Sequence, residues 1–298
     1  MPAIVHHPHY VAPLPPGHRF PMNKYGMLKA ELDLRGLVDP AQLYVPEVAP
    51  RAWLELAHDP AFVSQALDLA LPPEAVRRLG LTLSERVVRR ARLSSAGTAL
   101  AARIALETGL ACQTAGGSHH GHRHFGSGYC LFNDVAVAAA LMRAEGLVDR
   151  ILVVDLDVHQ GDGTAAIFAD EPAVFTLSIH AERNFPVRKA RSDLDIGLPD
   201  GLGDAAYLAV LADHLPMVLE RHRPDLVYYN AGVDPHEADR LGRLSLTEAG
   251  LMRRDRYVIE QVTGRQIPLV TVVGGGYGSD TDRIARLHAN VVAVAAHG

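Results

Sequence analysis

The feature that most limits what this chain can become is a series of short apolar runs, rich in β-branched residues. Each spills into a group of polar residues. ILVVDLD (151–157), AVFTLSIH (173–180), DLVYYNAGVD (225–234) and PLVTVVGGGY (268–277) are the clearest. Runs that are apolar on both faces belong to strands covered on both sides, as in a parallel sheet. Longer stretches with helical patterning separate them. Asn133 to Glu145 is rich in Ala and Val, and Asp204 to Arg221 and Thr247 to Val262 repeat apolar residues three and four apart. A last helix is expected from about Asp280 to Ala296, with Asp280 or Thr281 as its N-cap. No linker, internal repeat or low-complexity tract interrupts the alternation. The expectation is one α/β domain over residues 1–298: a doubly wound, mainly parallel sheet with helices on both faces. Pro13 to Pro16 is expected to be a surface loop.

In open parallel sheets, ligands bind beyond the carboxyl ends of the strands, and the chemically capable residues of this chain collect there. Asp157 and His159 stand two apart where a strand gives way to loop. In extended backbone that spacing puts both side chains on one face, able to grip one metal ion. Asp234, at the end of another strand, supplies a third ligand. Two carboxylates and one imidazole with a position left open for water are the donor set of a catalytic zinc site. His119 and His120 follow Gly116, Gly117 and Ser118, where the glycines permit a tight turn. Asp155 and Asp162 flank the metal-ligand candidates, and each is placed to orient one imidazole for acid–base work. Tyr277 follows three glycines, and its phenol is a candidate donor to a developing oxyanion.

Composition closes off other classes. With 29 basic against 34 acidic residues the formal net charge is −5, which gives no support for nucleic acid or an anionic membrane as partner. The short cluster of Arg86, Arg89, Arg90 and Arg92 is expected to be a solvated helix face. Two cysteines, Cys112 and Cys130, exclude a disulfide framework and suit a reducing cytosol. The N-terminal segment lacks the layout of a secretory signal. No apolar run reaches the roughly 18–20 residues of a membrane helix. The chain is therefore expected to be soluble and cytoplasmic.

Taken together, GGSHH, GSGYCLFND, DLDVHQGDGT, NAGVDPHEADRLG and GGGY resemble, in order and spacing, the zinc-dependent histone deacetylase superfamily of arginase/deacetylase fold. The pattern is most similar to the compact class IV-like bacterial branch and extends over roughly residues 6 to 290. HHPHY resembles the family's first strand. The resemblance implies that Asp157, His159 and Asp234 hold zinc, for which iron(II) can substitute. It makes His119 and His120 the catalytic pair, with Asp155 and Asp162 as their respective partners, and Tyr277 the phenol that polarises the carbonyl. It also implies a structural potassium ion at Asp155, Asp157, His159, Ser178 and the main chain around Ile179, and a substrate channel walled by Tyr129 and Phe185 with Gly128 and Gly275. Tyr129 stands where many members have Phe, and Ser118 where an aromatic is common. His122 and His124 are expected to be solvated loop residues, and Cys130 a small buried cysteine.

The activity implied is hydrolysis of the amide of an acylated amine, foremost acetyl-lysine or a longer acyl-lysine in proteins. An acetylpolyamine or another small acylated amine is the alternative substrate. A ureohydrolase with two manganese ions needs further aspartates where Gly161 and His236 stand, which disfavours it. A catalytically silent acyl-lysine binder would not need the full catalytic set.

Overall fold

The computed structural model describes residues 1–297. Eight strands form one sheet in which every pairing is parallel: β1 (Ala3–Val5), β2 (Leu43–Tyr44), β3 (Leu110–Gln113), β4 (Ile151–Asp155), β5 (Val174–Ala181), β6 (Leu194–Leu198), β7 (Leu226–Asn230) and β8 (Leu269–Val272). Their order is β2-β1-β3-β8-β7-β4-β5-β6. Ten helices accompany them: α1 (Lys24–Leu34), α2 (Arg51–Leu54), α3 (Pro60–Leu67), α4 (Pro73–Leu79), α5 (Glu85–Thr108), α6 (Asp134–Ala144), α7 (Asp162–Phe168), α8 (Asp204–His222), α9 (Glu248–Thr263) and α10 (Thr281–His297).

The all-apolar runs become strands because both their faces are covered. Every residue of β4, β7 and β8 is buried. One helix layer runs through α5, α6 and α7, and another through α1, α10, α9 and α8. Local chemistry sets the helix ends. Ser84 Oγ accepts from Val87 N to start α5, Asn133 Oδ1 accepts from Ala136 N to start α6, and Asp280 Oδ1 accepts from Arg283 N ahead of α10. The expected helices sit within a residue or two of these bounds, and Pro13 to Pro16 lies outside regular structure.

Three sequence expectations change. The strands stop earlier than their apolar runs do, at Asp155, Asn230 and Val272, so the chemical residues occupy loops. HHPHY is no strand: β1 precedes it, and Pro8–Tyr10 is a 3-10 turn capped by His7, whose ring accepts from His9 N. The arginine cluster is not a uniformly solvated face either. Arg86 and Arg89 are exposed, but Arg90 is buried, donating to Tyr10 O at 2.9 Å and lying 4.6 Å from the Tyr25 ring centroid. A guanidinium is tolerated inside when its donors are taken up and its plane stacks on an aromatic face.

The helices that follow β4 and β7 lead to opposite neighbours, β5 and β8, so the seam between β4 and β7 is the topological switch point of the sheet. Arg254 of α9 fixes that seam from beneath. It is fully buried, and its Nη1 donates to Gly232 O at 2.7 Å and Leu156 O at 3.2 Å, just beyond the ends of β7 and β4. Asp255 accepts from its Nε at 2.9 Å. Arg254→Ala is expected to lower stability by about 3–5 kcal/mol, because it strands a buried carboxylate. Urea unfolding measures it, and a loss below about 1 kcal/mol would show that the clamp is dispensable.

Candidate active site

The centre of the site is built by backbone turns beyond β4 and β7. Asp157 and His159 do not lie in extended strand, as the i, i+2 argument assumed, but in a bend. Asp157 Oδ1 accepts from His159 N at 3.0 Å, an Asx-type turn that brings the two side chains together another way. His159 Nδ1 then lies 2.9 Å from Asp157 Oδ1 and 3.1 Å from Asp234 Oδ2. Among the described residues these three form the metal-capable group, with ligand atoms all within 4.8 Å of one another. Both carboxylates have no exposed surface. Their outer oxygens are held by main-chain donors, Gly275 N to Asp157 Oδ2 at 2.7 Å and Val158 N to Asp234 Oδ1 at 2.9 Å. Two adjacent carboxylates out of water oppose each other's ionisation. Burial and Asp157 accordingly push Asp234 up to about 7, while His119 and His159 outweigh burial and hold Asp157 well below the ordinary range. The donor set, the convergence of the three atoms and the two buried carboxylates facing one imidazole all fit a divalent cation.

The histidine loop leaves β3 and is held by Asp134 at the start of α6. Asp134 Oδ1 accepts from Ser118 N at 2.8 Å and Oδ2 from Gly117 N at 3.2 Å. His119 Nδ1 donates to Asp155 Oδ2 at 2.7 Å and His120 Nδ1 to Asp162 Oδ1 at 2.5 Å. The surroundings push the two rings in opposite directions. For His120, burial and then the neighbouring His119 lower the pKa to about 4. For His119, burial also opposes the charged form, but Asp155 and Asp157 overcome it and raise the pKa to about 9. His120 lines a cavity beyond the strand ends, and His119 is not part of its lining.

That cavity, of about 440 Å³, is lined by His120, His159, Tyr277, Tyr129, Phe185 and Gly128 among others. Tyr277 packs edge-on to His159, with ring centroids 6.0 Å apart. Burial and the nearby Asp157 and Asp234 push its phenol well above 10, so it stays a donor. Gly128 is where a side chain would strike the His120 ring: an added Cβ would stand 2.6 Å from Cδ2. Gly275, expected in the channel, is instead behind the carboxylates. A Cβ there would lie 2.0 Å from Asp234 Oδ2 and 2.6 Å from Asp157 Oδ2. The glycine run before Tyr277 thus gives room for the carboxylate pair.

Several residues were missed or misread from sequence. His122 is not solvated: its Nε2 donates to Asp162 Oδ2 at 2.9 Å, and its ring stacks on Phe125 with centroids 4.4 Å apart. One carboxylate therefore holds two histidines. His124 is exposed as expected. Lys24 is buried and donates to Gly274 O at 2.8 Å, 5.7 Å from the Tyr277 ring centroid, and burial lowers its pKa to about 8. Asn230 Nδ2 donates to Asp155 Oδ1 at 3.0 Å. Nothing around Ser178 and Ile179 singles out a potassium ion: Ser178 Oγ is 2.9 Å from His180 Nδ1, and Ile179 pairs with Ile196 inside the sheet. Gly161 leaves no room for an additional aspartate, since a Cβ there would meet Asp155 Oδ2 at 2.2 Å. His236 is turned aside to accept from Ala238 N.

Comparison with known proteins bears on this arrangement. The family model for the histone deacetylase domain matches residues 18–295. The chain belongs to the histone deacetylase family. It is a hydrolase acting on amide bonds. It is 50% identical over 285 residues to an uncharacterised protein of Picosynechococcus, covering 96% of this chain and 95% of the other, in keeping with the compact branch. Histone deacetylase 2 of Arabidopsis thaliana is 27% identical over 90% of this chain and 71% of its own length. A probable deacetylase of Methanothermobacter thermautotrophicus is 35% identical over 63% of this chain and 59% of its own. The crystal structure of the HDA15 HD domain has the same fold, with a TM-score of 0.80 over 98% of this chain and 88% of that one, at 22% identity. No helix among the described residues is long and apolar enough to cross a membrane.

Gly275→Ala is expected to abolish retention of a divalent metal while the far-ultraviolet circular dichroism stays native. Elemental analysis after dialysis decides it, and a full equivalent of metal in the variant would show that the turn yields elsewhere.

Proposed function

We propose that this family member removes the acyl group from acylated lysine side chains, using one zinc ion held by Asp157, His159 and Asp234. The observation that carries the reading is the pairing of a neutral, carboxylate-oriented His120 with the three converging ligands at the end of one cavity. Iron(II) fits the same donors, because N/O sites discriminate weakly among these ions. When bound there, the cation supplies Lewis-acid polarisation of the acyl carbonyl and acidifies an attacking water.

The chain's own residues divide the remaining work. His120 donates its Nδ1 proton to Asp162, which leaves Nε2 free to take a proton from water on the cavity side. Its lowered pKa keeps it neutral near pH 7, as a base must be. His119, held charged by Asp155, faces the developing negative charge electrostatically from behind. Once His120 carries the proton, its Nε2 is the group positioned to hand it to the departing amine. Tyr277 donates its phenol hydrogen to the oxyanion, an interaction that grows as charge develops and so favours the transition state. Tyr129 and Phe185 wall the aliphatic part of the substrate, and Gly128 lets His120 stand against the channel. Two free, buried cysteines support a reducing, cytoplasmic setting.

The tests separate these roles. Dialysed protein should retain one equivalent of zinc or iron, and two equivalents of manganese would instead support a ureohydrolase. His120→Ala should lower kcat on an acetyl-lysine peptide by about 10²–10⁴ with metal retained. Tyr277→Phe should lower kcat by about 10²–10³ with little change in KM, as for loss of an oxyanion donor. Near-native kcat in both variants would sink the assignment.

A further inference from the structure

The outer end of the cavity carries charge that the chemistry above does not use. Arg77, Arg78, Arg183 and Arg243 line the cavity, and no aspartate or glutamate does. All four are exposed, whereas His120 and His159 are buried, so the arginines mark the mouth and the histidines the floor. Three separate segments bring them there: α4 carries Arg77 and Arg78, Arg183 follows β5, and Arg243 follows β7. Arg243 pairs with Asp200 at 3.0 Å and Arg78 lies 4.6 Å from the Phe125 ring centroid, while Arg77 and Arg183 have no side-chain partner among the described residues. A neighbouring cavity of about 320 Å³ shares Leu241 and Tyr277 with the first and adds Arg19 and Arg240. A chain of net charge −5 has thus gathered a local positive field around its substrate opening.

We propose that this mouth selects acyl-lysines flanked by acidic residues, so that the partner is an acidic peptide segment rather than a polyamine or a basic tail. The proposal rests on the deacylase reading and names its substrate class. A guanidinium offers a planar fork that matches a carboxylate, and it repels a polycation. The carboxylates belong to neighbours of the acylated residue because the arginines sit at the exposed end, while the reacting bond must reach the buried His120 and His159. Arginines from three segments also span more than one point contact. Phe185 and Leu241, 42% and 38% exposed, line the same cavity and give a peptide apolar purchase.

The experiment compares three acetyl-lysine peptides of equal length, with acidic, neutral and basic flanks, together with an acetylated polyamine and a neutral-flanked succinyl-lysine peptide. Exposed ion pairs are individually weak, but several converge here. The acidic peptide should exceed the basic one in kcat/KM by about tenfold, which is about 1.4 kcal/mol, with the difference in KM and shrinking at high salt. Arg77→Glu combined with Arg183→Glu should reverse the order. Equal kcat/KM for the three peptides, an unchanged order in the charge-reversed variant, or an acetylpolyamine as best substrate would each overturn the proposal. So would an arginine-dependent preference for the succinyl peptide, which would place the recognised carboxylate on the acyl group. Fluorescence anisotropy of the same peptides gives an activity-independent readout. A protein that turned over no acylated amine would overthrow the deacylase reading, and the binding order would still decide the mouth: acidic over basic upholds it, no order overturns it.

Discussion

Two carboxylates with no exposed surface, Asp157 and Asp234, face each other beyond adjacent strands of the sheet, and much of the surrounding structure answers that repulsion. Main-chain donors at Val158 and Gly275 take the oxygens turned away from His159. Gly275 approaches so closely that a side chain on it would collide with both acids. Lys24 and Arg254, both fully buried, bind main-chain carbonyls at Gly274, Gly232 and Leu156 and so hold the turns that carry the pair. A centre of concentrated negative charge in a low-dielectric interior is costly. It is held here by geometry imposed from several directions, in a form that suits the zinc ion proposed above.

The same electrostatics split two adjacent histidines into unlike groups. His119 sits beside Asp155 and near Asp157, with its Nε2 at 3.8 Å from the latter, so the proton on it is stabilised. His120 has one carboxylate, and Asp162 must also satisfy His122. Burial, and after it the neighbouring His119, outweigh that carboxylate and lower the pKa of the ring. Two side chains with the same intrinsic basicity thus end on opposite sides of neutrality through their surroundings alone.

Much of the fold and the site was legible in the chain. Apolar runs that remain apolar on both faces announce buried parallel strands, and polar residues at their ends announce the site. What escaped is instructive. The i, i+2 spacing of Asp157 and His159 was read as extended backbone, yet an aspartate beside a bend prefers to bond its own main chain two residues on, and that turn does the gathering. Lys24, Arg90 and His122 were illegible because the partners that justify their burial lie far off in sequence: Gly274 for Lys24, Tyr10 for Arg90 and Asp162 for His122. Composition marks such residues as surface, and only the assembled chain shows them satisfied. Gly275 was assigned to the channel from its position before Tyr277, since nothing local discloses the carboxylates behind it.

The floor and the rim of the cavity are made from different parts of the chain. The floor hangs from the ends of β3, β4, β7 and β8, so its atoms are located by the sheet. The rim is drawn from α4 and from the loops after β5 and β7, and among the described residues Arg77 and Arg183 on it hold no other side chain in place. If the rim selects substrate as proposed, exchanging Arg77 or Arg183 changes what is admitted without removing a hydrogen bond of the floor. The two regions are free to drift at different rates. A lineage built on this scaffold can exchange its clientele one guanidinium at a time while the reaction underneath stays the same.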